Sequence, residues 1–262
     1  MVKLDPYSDI QKRPLNYEDG MRSSGYGIRI HNPNSEDLWD EIGQVSSNYL
    51  VVPNKNVKEM AEDIINDTDW EWEEGKNFWN GRQYMVSYNV INHNFGQVNV
   101  DDPLTVGMGM WNSYDGSRAL SWFMFVVRLA CTNGMTSRSL FPMYRFKHDN
   151  VHENWKDELS NVSKILTNAQ RPVNEFIDCA QNLENRRLTM RELKTIRNEY
   201  IRDIPHSKFG KVMDKYLSNG NDTAWDFLNA ATHTFWHNEK QTKTDFDHND
   251  YVVTRMLDYA QN

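Results

Sequence analysis

His233 and His237 stand four residues apart, a spacing that places two imidazoles on one face of a helix at metal-ligand separation. Asp245, Asp247, His248 and Asp250 follow closely, so a divalent metal held by His233, His237 and Asp245 is one chemistry this pattern suggests. The zinc-protease motif needs Glu directly after the first His to activate water, and Thr234 occupies that position. A calcium loop starting at Asp245 needs Gly at its sixth position and a bidentate Glu at its twelfth, where Asp250 and Met256 stand. Cys131, with His148 as a base, would make a nucleophile, yet it ends an apolar run, the setting of a core thiol. Gly107-Met108-Gly109 lacks the third glycine of a dinucleotide loop, and no Walker-type phosphate loop occurs. No catalytic set and no cofactor follow from these spacings.

Charge offers a second chemistry. From Gly116 to His148 the chain carries Arg118, Arg128, Arg138, Arg145 and Lys147 and no Asp or Glu. From Asn185 to Lys215, Arg186, Arg187, Arg191, Lys194, Arg197, Arg202, Lys208, Lys211 and Lys215 face only Glu192, Glu199, Asp203 and Asp214. The compensating acids concentrate between Val57 and Glu74, with Glu59, Glu62, Asp63, Asp67, Asp69, Glu71, Glu73 and Glu74. Basic groups beside Trp111, Tyr114, Trp122 and Tyr144 suit a groove that follows a phosphate backbone and stacks bases. The competing account is a solvated face whose arginines pair with the acidic helix.

The elements that must position these residues fall into two styles. Residues 1–40 mix Pro, Gly, Ser and Asn without sustained periodicity and read as an irregular arm. Residues 41–262 read as one domain, with sheet in 41–148 and helices in 149–262. Tyr49 to Val52 feeds a helix whose face is Val57, Met60, Ala61, Ile64 and Ile65. Asn80-Gly81 lies between Phe78-Trp79 and the alternating Tyr84, Val86, Tyr88 and Val90, a strong hairpin signal. Phe95 to Val100 and Leu104 to Trp111 continue the meander, with Gly107 and Gly109 predicting a bulge or close backbone approach. Ala119 to Cys131 fits a buried strand or a buried helix, and its Phe125-Val126-Val127 centre favours strand.

Beyond Asn150 the apolar steps become helical: Val151, Trp155, Leu159, Val162, Leu166 and Ala169, then Val173 to Leu183. Asn150 with Glu153, and Thr189 with Glu192, have capping-box spacing. Phe209 to Leu217, Trp225 to Phe235 and Tyr251 to Tyr259 give three more helical stretches, the last preceded by a polar segment from Asn238 to Asp250. The fold class predicted is α+β, an antiparallel meander over residues 48–130 with helices packed on it and a helical C-terminal half.

Composition bounds these readings. The chain has 262 residues and net charge −8, and 12% of its residues are aromatic, including nine tryptophans, which excludes a disordered chain. Two cysteines give no disulfide framework. The opening MVKLDPYSDIQKRP has no apolar run, so no signal peptide is expected. Ala119 to Cys131 is far short of the ~20 residues that span a bilayer, so no membrane partner is expected.

The stretch NSYDGSRALSWFMFVVRLACTNGM resembles the hallmark of the phage/plasmid-like family catalogued as domain of unknown function 932, through Asn112, Ser113, Asp115, Gly116, Ser117, Arg128, Cys131 and Asn133. Tyr114 stands where the family has His, and Thr132 where it has Gln. NYLVVPNKNVKEM, His148 in FKHDN, and Thr223, Trp225, Asn229, Ala230, Thr232 and His237 in TAWDFLNAATHTFWHNE are similar to further family segments, so the likeness runs from Tyr49 to Asp250. The resemblance implies a phage or mobile-element protein acting in the cytoplasm of an infected host cell, in a family without a settled activity. Its strand-meander-plus-helix layout is similar to that of phage single-strand annealing recombinases.

Three functions follow as expectations. The first is binding of single-stranded DNA, including single-strand annealing in recombination, by a homo-oligomeric ring or filament. Its phosphate contacts would be Arg118, Arg128, Arg138, Arg145 and Lys147, with Trp122 and Tyr144 stacking bases. The second is a structural or host-takeover interaction module without nucleic-acid activity. The third is a metal-dependent enzyme using His233, His237 and Asp245.

Overall fold

The computed structural model describes residues 4–16, 22–130, 133–137, 139–149, 162, 164–166, 168–218, 222–238 and 243–262. The fold is α+β, with antiparallel sheets first and helices in the C-terminal half. Among the described residues no helix is long and apolar enough to cross a membrane.

The N-terminal region departs from the irregular arm expected over residues 1–40. It forms a three-stranded antiparallel sheet of β1 (Ile10–Asn16), β2 (Arg22–His31) and β3 (Trp39–Ser46), in the order β1-β2-β3. Only one face is buried, and few side chains carry it. Ile28, Ile30 and Ile42 form a cluster with Tyr114, joined at its margin by Leu4, Ile10, Val45, Val51 and Trp79. The period-2 signal is therefore short, and Gly and Pro interrupt it. Pro14 is tolerated because β1 is an edge strand that, among the described residues, pairs with β2 alone. Gly43 is required by proximity: a Cβ there would lie 2.9 Å from the Tyr114 carbonyl oxygen and the Asp115 Cα.

The larger sheet contains β4 (Trp72–Glu74), β5 (Phe78–Trp79), β6 (Gln83–Val90), β7 (Gly96–Gln97), β8 (Pro103–Ser113), β9 (Leu120–Arg128), β10 (Asn133–Met135) and β11 (Met143–Phe146). Its order is β10-β9-β8-β6-β4, with β11 beside β10 on β9, β5 on β6 and β7 on β8. The Asn80-Gly81 hairpin is present: Phe78 pairs with Met85 and Trp79 with Tyr84. Gly81 has φ +91°, and Asn80 Oδ1 accepts from the backbone N–H groups of Arg82 and Gln83. The ambiguous apolar run is strand β9, buried from Leu120 to Val127. The two glycines of β8 serve close approach: the Phe125 ring occupies the space a side chain at Gly107 would need, and the Phe123 ring does the same at Gly109.

The chain forms two compact units. One comprises residues 1–88, 108–123 and 143–167, the other residues 89–107, 124–142 and 168–262. The first holds α1 (Asn54–Asn66), which buries the predicted Val57, Met60, Ala61, Ile64 and Ile65. Of the helix expected over residues 151–169, residues 162 and 164–166 are helical, with Val162 and Leu166 buried. The Asn150/Glu153 capping box, Trp155, Cys131 and Arg138 lie outside the described residues.

The second unit holds α2 (Gln170–Glu184), α3 (Met190–Thr195) running into a π-helical turn (Ile196–Tyr200), α4 (His206–Ser218), α5 (Ala224–Trp236) and α6 (Lys243–Gln261). The Thr189/Glu192 capping box is formed, and Thr223/Asp226 makes another at the start of α5. Helix α6 starts inside the segment expected to be a polar connection. Asp245, Asn249 and Asp250 are buried there, so polar side chains hold positions where apolar residues would have signalled a helix. Asn249 Oδ1 accepts from Thr136 N and Oγ1 at 3.2 Å each, and its Nδ2 donates to Gly134 O at 3.0 Å.

Candidate nucleic-acid interface

In the first unit β11 lies on an edge of the sheet. Tyr144 pairs with Trp122, Arg145 with Ser121 and Phe146 with Leu120, and among the described residues no strand pairs with the other side of β11. Phe146 is buried, whereas Tyr144, Arg145 and Lys147 are exposed. Neither Arg145 nor Lys147 forms an ion pair with a described acidic residue. The adjacent acid of the hallmark turn is used locally: Asp115 Oδ1 accepts from Ser117 N at 3.0 Å, with Gly116 at φ +69°. Ser113 Oγ closes that turn by donating to Arg118 O at 2.7 Å and accepting from Arg118 N at 3.1 Å.

The other candidates in this unit are placed differently. The Arg118 guanidinium lies 4.1 Å from the centroid of the Trp111 ring, a cation–π contact that uses it in side-chain packing. Trp122 is fully buried, with Tyr144 at 6.0 Å between ring centroids. This corrects the expectation for Trp122: an indole with no exposed face fills the core and cannot stack a base. Trp111 and Tyr114 are buried in the same way, which leaves Tyr144 as the exposed aromatic.

Beside this edge, His148 stacks on Tyr49 with ring centroids 4.7 Å apart and planes 11° from parallel, and its Nδ1 donates to Leu50 O at 2.9 Å. Burial lowers the His148 pKa, because its Nε2 is enclosed without a hydrogen-bond partner and a second proton there would find no acceptor. Tyr49 Oη donates to Ser113 O at 2.5 Å, and burial pushes its pKa up to about 12. Tyr114 Oη accepts from Asn54 N at 2.8 Å, and Asn112 Nδ2 donates to Val52 O and Asn54 Oδ1, both at 2.8 Å.

In the second unit Arg128 is tied down. Its Nε meets Asp102 Oδ1 at 2.5 Å, and Trp225 Nε1 donates to Asp102 Oδ2 at 2.8 Å. The Asp102 side chain is 1% exposed and that of Arg128 24%. Arg128 also lines an open cleft of about 530 Å³ with Asn99, Glu184, Arg187, Asp222, Thr223, Trp225 and Asp226. Arg187 there pairs with Asp222 at 3.2 Å. Three acids against two paired arginines make a poor phosphate track, and the Asp102 pairing gives Arg128 a structural role.

His233 and His237 do share a helix face, with ring centroids 4.7 Å apart. Burial, Lys215 and then His237 lower the His233 pKa. His237 Nε2 donates to Asn133 Oδ1 at 2.9 Å, and Asn133 Nδ2 donates to Asn229 O at 3.3 Å. Asp245 is the buried counter-ion of Lys208 and accepts from Asn238 Nδ2 at 3.0 Å. Among the described residues no group of three or more His, Cys, Asp or Glu is gathered for a metal. The spacing signal was genuine helix geometry, but Asp245 has a lysine as its partner.

The model of the family described as "Domain of unknown function (DUF932)" matches residues 41–257. The chain belongs to that family. No curated protein and no solved structure matches it. Many of the residues through which it resembles the DUF932 pattern fall into three sets: Asn112, Ser113 and His148 around Tyr49 and Asn54, Arg128 and Trp225 on Asp102, and Asn133, Asn229 and His237 joined to one another. Asp102, the hub of the second, was missed because Asp101-Asp102-Pro103 reads as a turn.

Proposed function

We propose that the protein binds single-stranded nucleic acid along the β11 edge without reading its sequence, as an annealing protein of a mobile element does. The observation that carries this is the exposure of Tyr144, Arg145 and Lys147 on a sheet edge free of described acidic partners. Two cations match successive phosphates, and an exposed ring offers a face to an unpaired base, which a duplex keeps stacked inside. Whether binding extends to annealing of complementary strands is part of the same proposal and is read by a strand-pairing assay. The direct test is fluorescence anisotropy of a labelled oligonucleotide across a salt series. Affinity falls steeply with salt, and Arg145→Ala with Lys147→Ala lowers the logarithmic slope by about 1.4, at ~0.7 per phosphate contact on single strands. An unchanged anisotropy at low salt overturns the proposal.

A further inference from the structure

Within the first unit the sheet runs β11-β9-β8-β6-β4, so β4 and β11 are its two edges. Among the described residues neither edge is paired on its outer side. The edges differ in charge. At β4, Glu71, Glu73 and Glu74 are exposed beside the partly exposed rings of Trp70 and Trp72, whose centroids are 6.0 Å apart. Lys58 pairs with Glu62 and Glu74. At β11, the exposed groups are Arg145, Lys147 and Tyr144.

A charged edge ordinarily keeps copies of a protein apart, because like charge meets like. Opposite signs on the two edges remove that protection in one arrangement alone. Pairing β4 with β4 sets glutamates against glutamates, and pairing β11 with β11 sets Arg and Lys against themselves, each unfavourable across strands. Pairing β4 with β11 joins acid to base and brings an arginine to tryptophan faces, the combination enriched at interface hot spots. We infer that copies of this chain associate head to tail, the β4 edge of one copy against the β11 edge of the next. Such a contact is heterologous, so it closes into rings or extends as filaments instead of stopping at a dimer.

The inference rests on the two edges and not on nucleic-acid binding, although a neighbour's β4 and a phosphate backbone would compete for Arg145 and Lys147. Sedimentation velocity without nucleic acid, over a concentration series at low and high salt, therefore tests it separately. The wild type grows in size with concentration at low salt and dissociates at high salt. Glu73→Lys and Arg145→Glu each weaken association at least tenfold, and an equimolar mixture of the two restores it, since each variant supplies the complement of the other. Circular dichroism confirms that the variants are folded; should either unfold, Glu73→Gln and Arg145→Gln replace them, each weakening association less. A wild type that stays monomeric throughout, or association that survives both substitutions, overturns the inference.

Discussion

Trp225 and Asp102 are joined by an indole Nε1–H donated at 2.8 Å to a carboxylate whose second oxygen holds Arg128. A loop residue, a strand residue and a helix residue thereby share one buried charge. Removing one member of such a set leaves the others desolvated and unmatched, a loss of about 3–5 kcal/mol. Asp102→Ala should lower the unfolding free energy by that order, read as a lower urea midpoint at an unchanged m-value. Arg128→Ala should also destabilise, while leaving the salt dependence of nucleic-acid binding as in the wild type. Denaturation and anisotropy on the same preparations check both.

Tyr144 is the exposed aromatic beside the basic edge, and one stacked base contributes roughly 1–3 kcal/mol. Tyr144→Ala should therefore weaken oligonucleotide binding by a factor of about 5 to 150, with the salt slope unchanged because no charge is lost. Trp122→Phe, a change in the core, should alter stability and leave affinity alone.

His148 gives a pH dependence with a definite sign. Its pKa in the folded chain is lowered by burial, so below the unfolded value of about 6.5 the unfolded chain binds more protons. Stability is full above that value and falls as pH drops toward the folded one. The charged residues next to it in sequence are Lys147 and Asp149, and His233 and His248 shift in the same direction with burial as the largest cause. His148→Phe keeps a ring for Tyr49 and removes one titrating group. The acid-side slope of the unfolding free energy should be shallower in the variant than in the wild type, and not abolished.

Gly107 lies under the Phe125 ring. Gly107→Ala should destabilise by about 1–3 kcal/mol through overpacking. Gly107→Ala combined with Phe125→Leu should cost less than the sum of the two, and a double-mutant cycle on unfolding free energies measures that coupling.

What could be read from the residues was what local periodicity and turn chemistry encode. Helix α1, the Asn80-Gly81 hairpin, the Thr189 cap and the strand character of Phe125-Val126-Val127 all follow from spacing over a few positions. The N-terminal sheet was hidden because its buried face rests on three isoleucines among Gly, Pro and charge. The start of α6 was hidden because its inward positions hold Asp245, Asn249 and Asp250. At the site, a count of cations could not separate Arg145, which is exposed, from Arg128, which has a buried carboxylate beneath it. Sequence distance conceals that difference, since Asp102 reaches Arg128 only through the fold.

Strand β3 has a further consequence. The family match begins at residue 41, inside that strand, whereas β1 and β2 precede it. Strand β2 satisfies one hydrogen-bonding side of β3, and Ile28 and Ile30 of β2 with Ile10 of β1 pack in the cluster that holds Ile42. A fragment cut at the family boundary would bare both a backbone edge and an apolar face, and would precipitate where the full chain does not. For expression or crystallisation, the useful boundary lies ahead of Ile10.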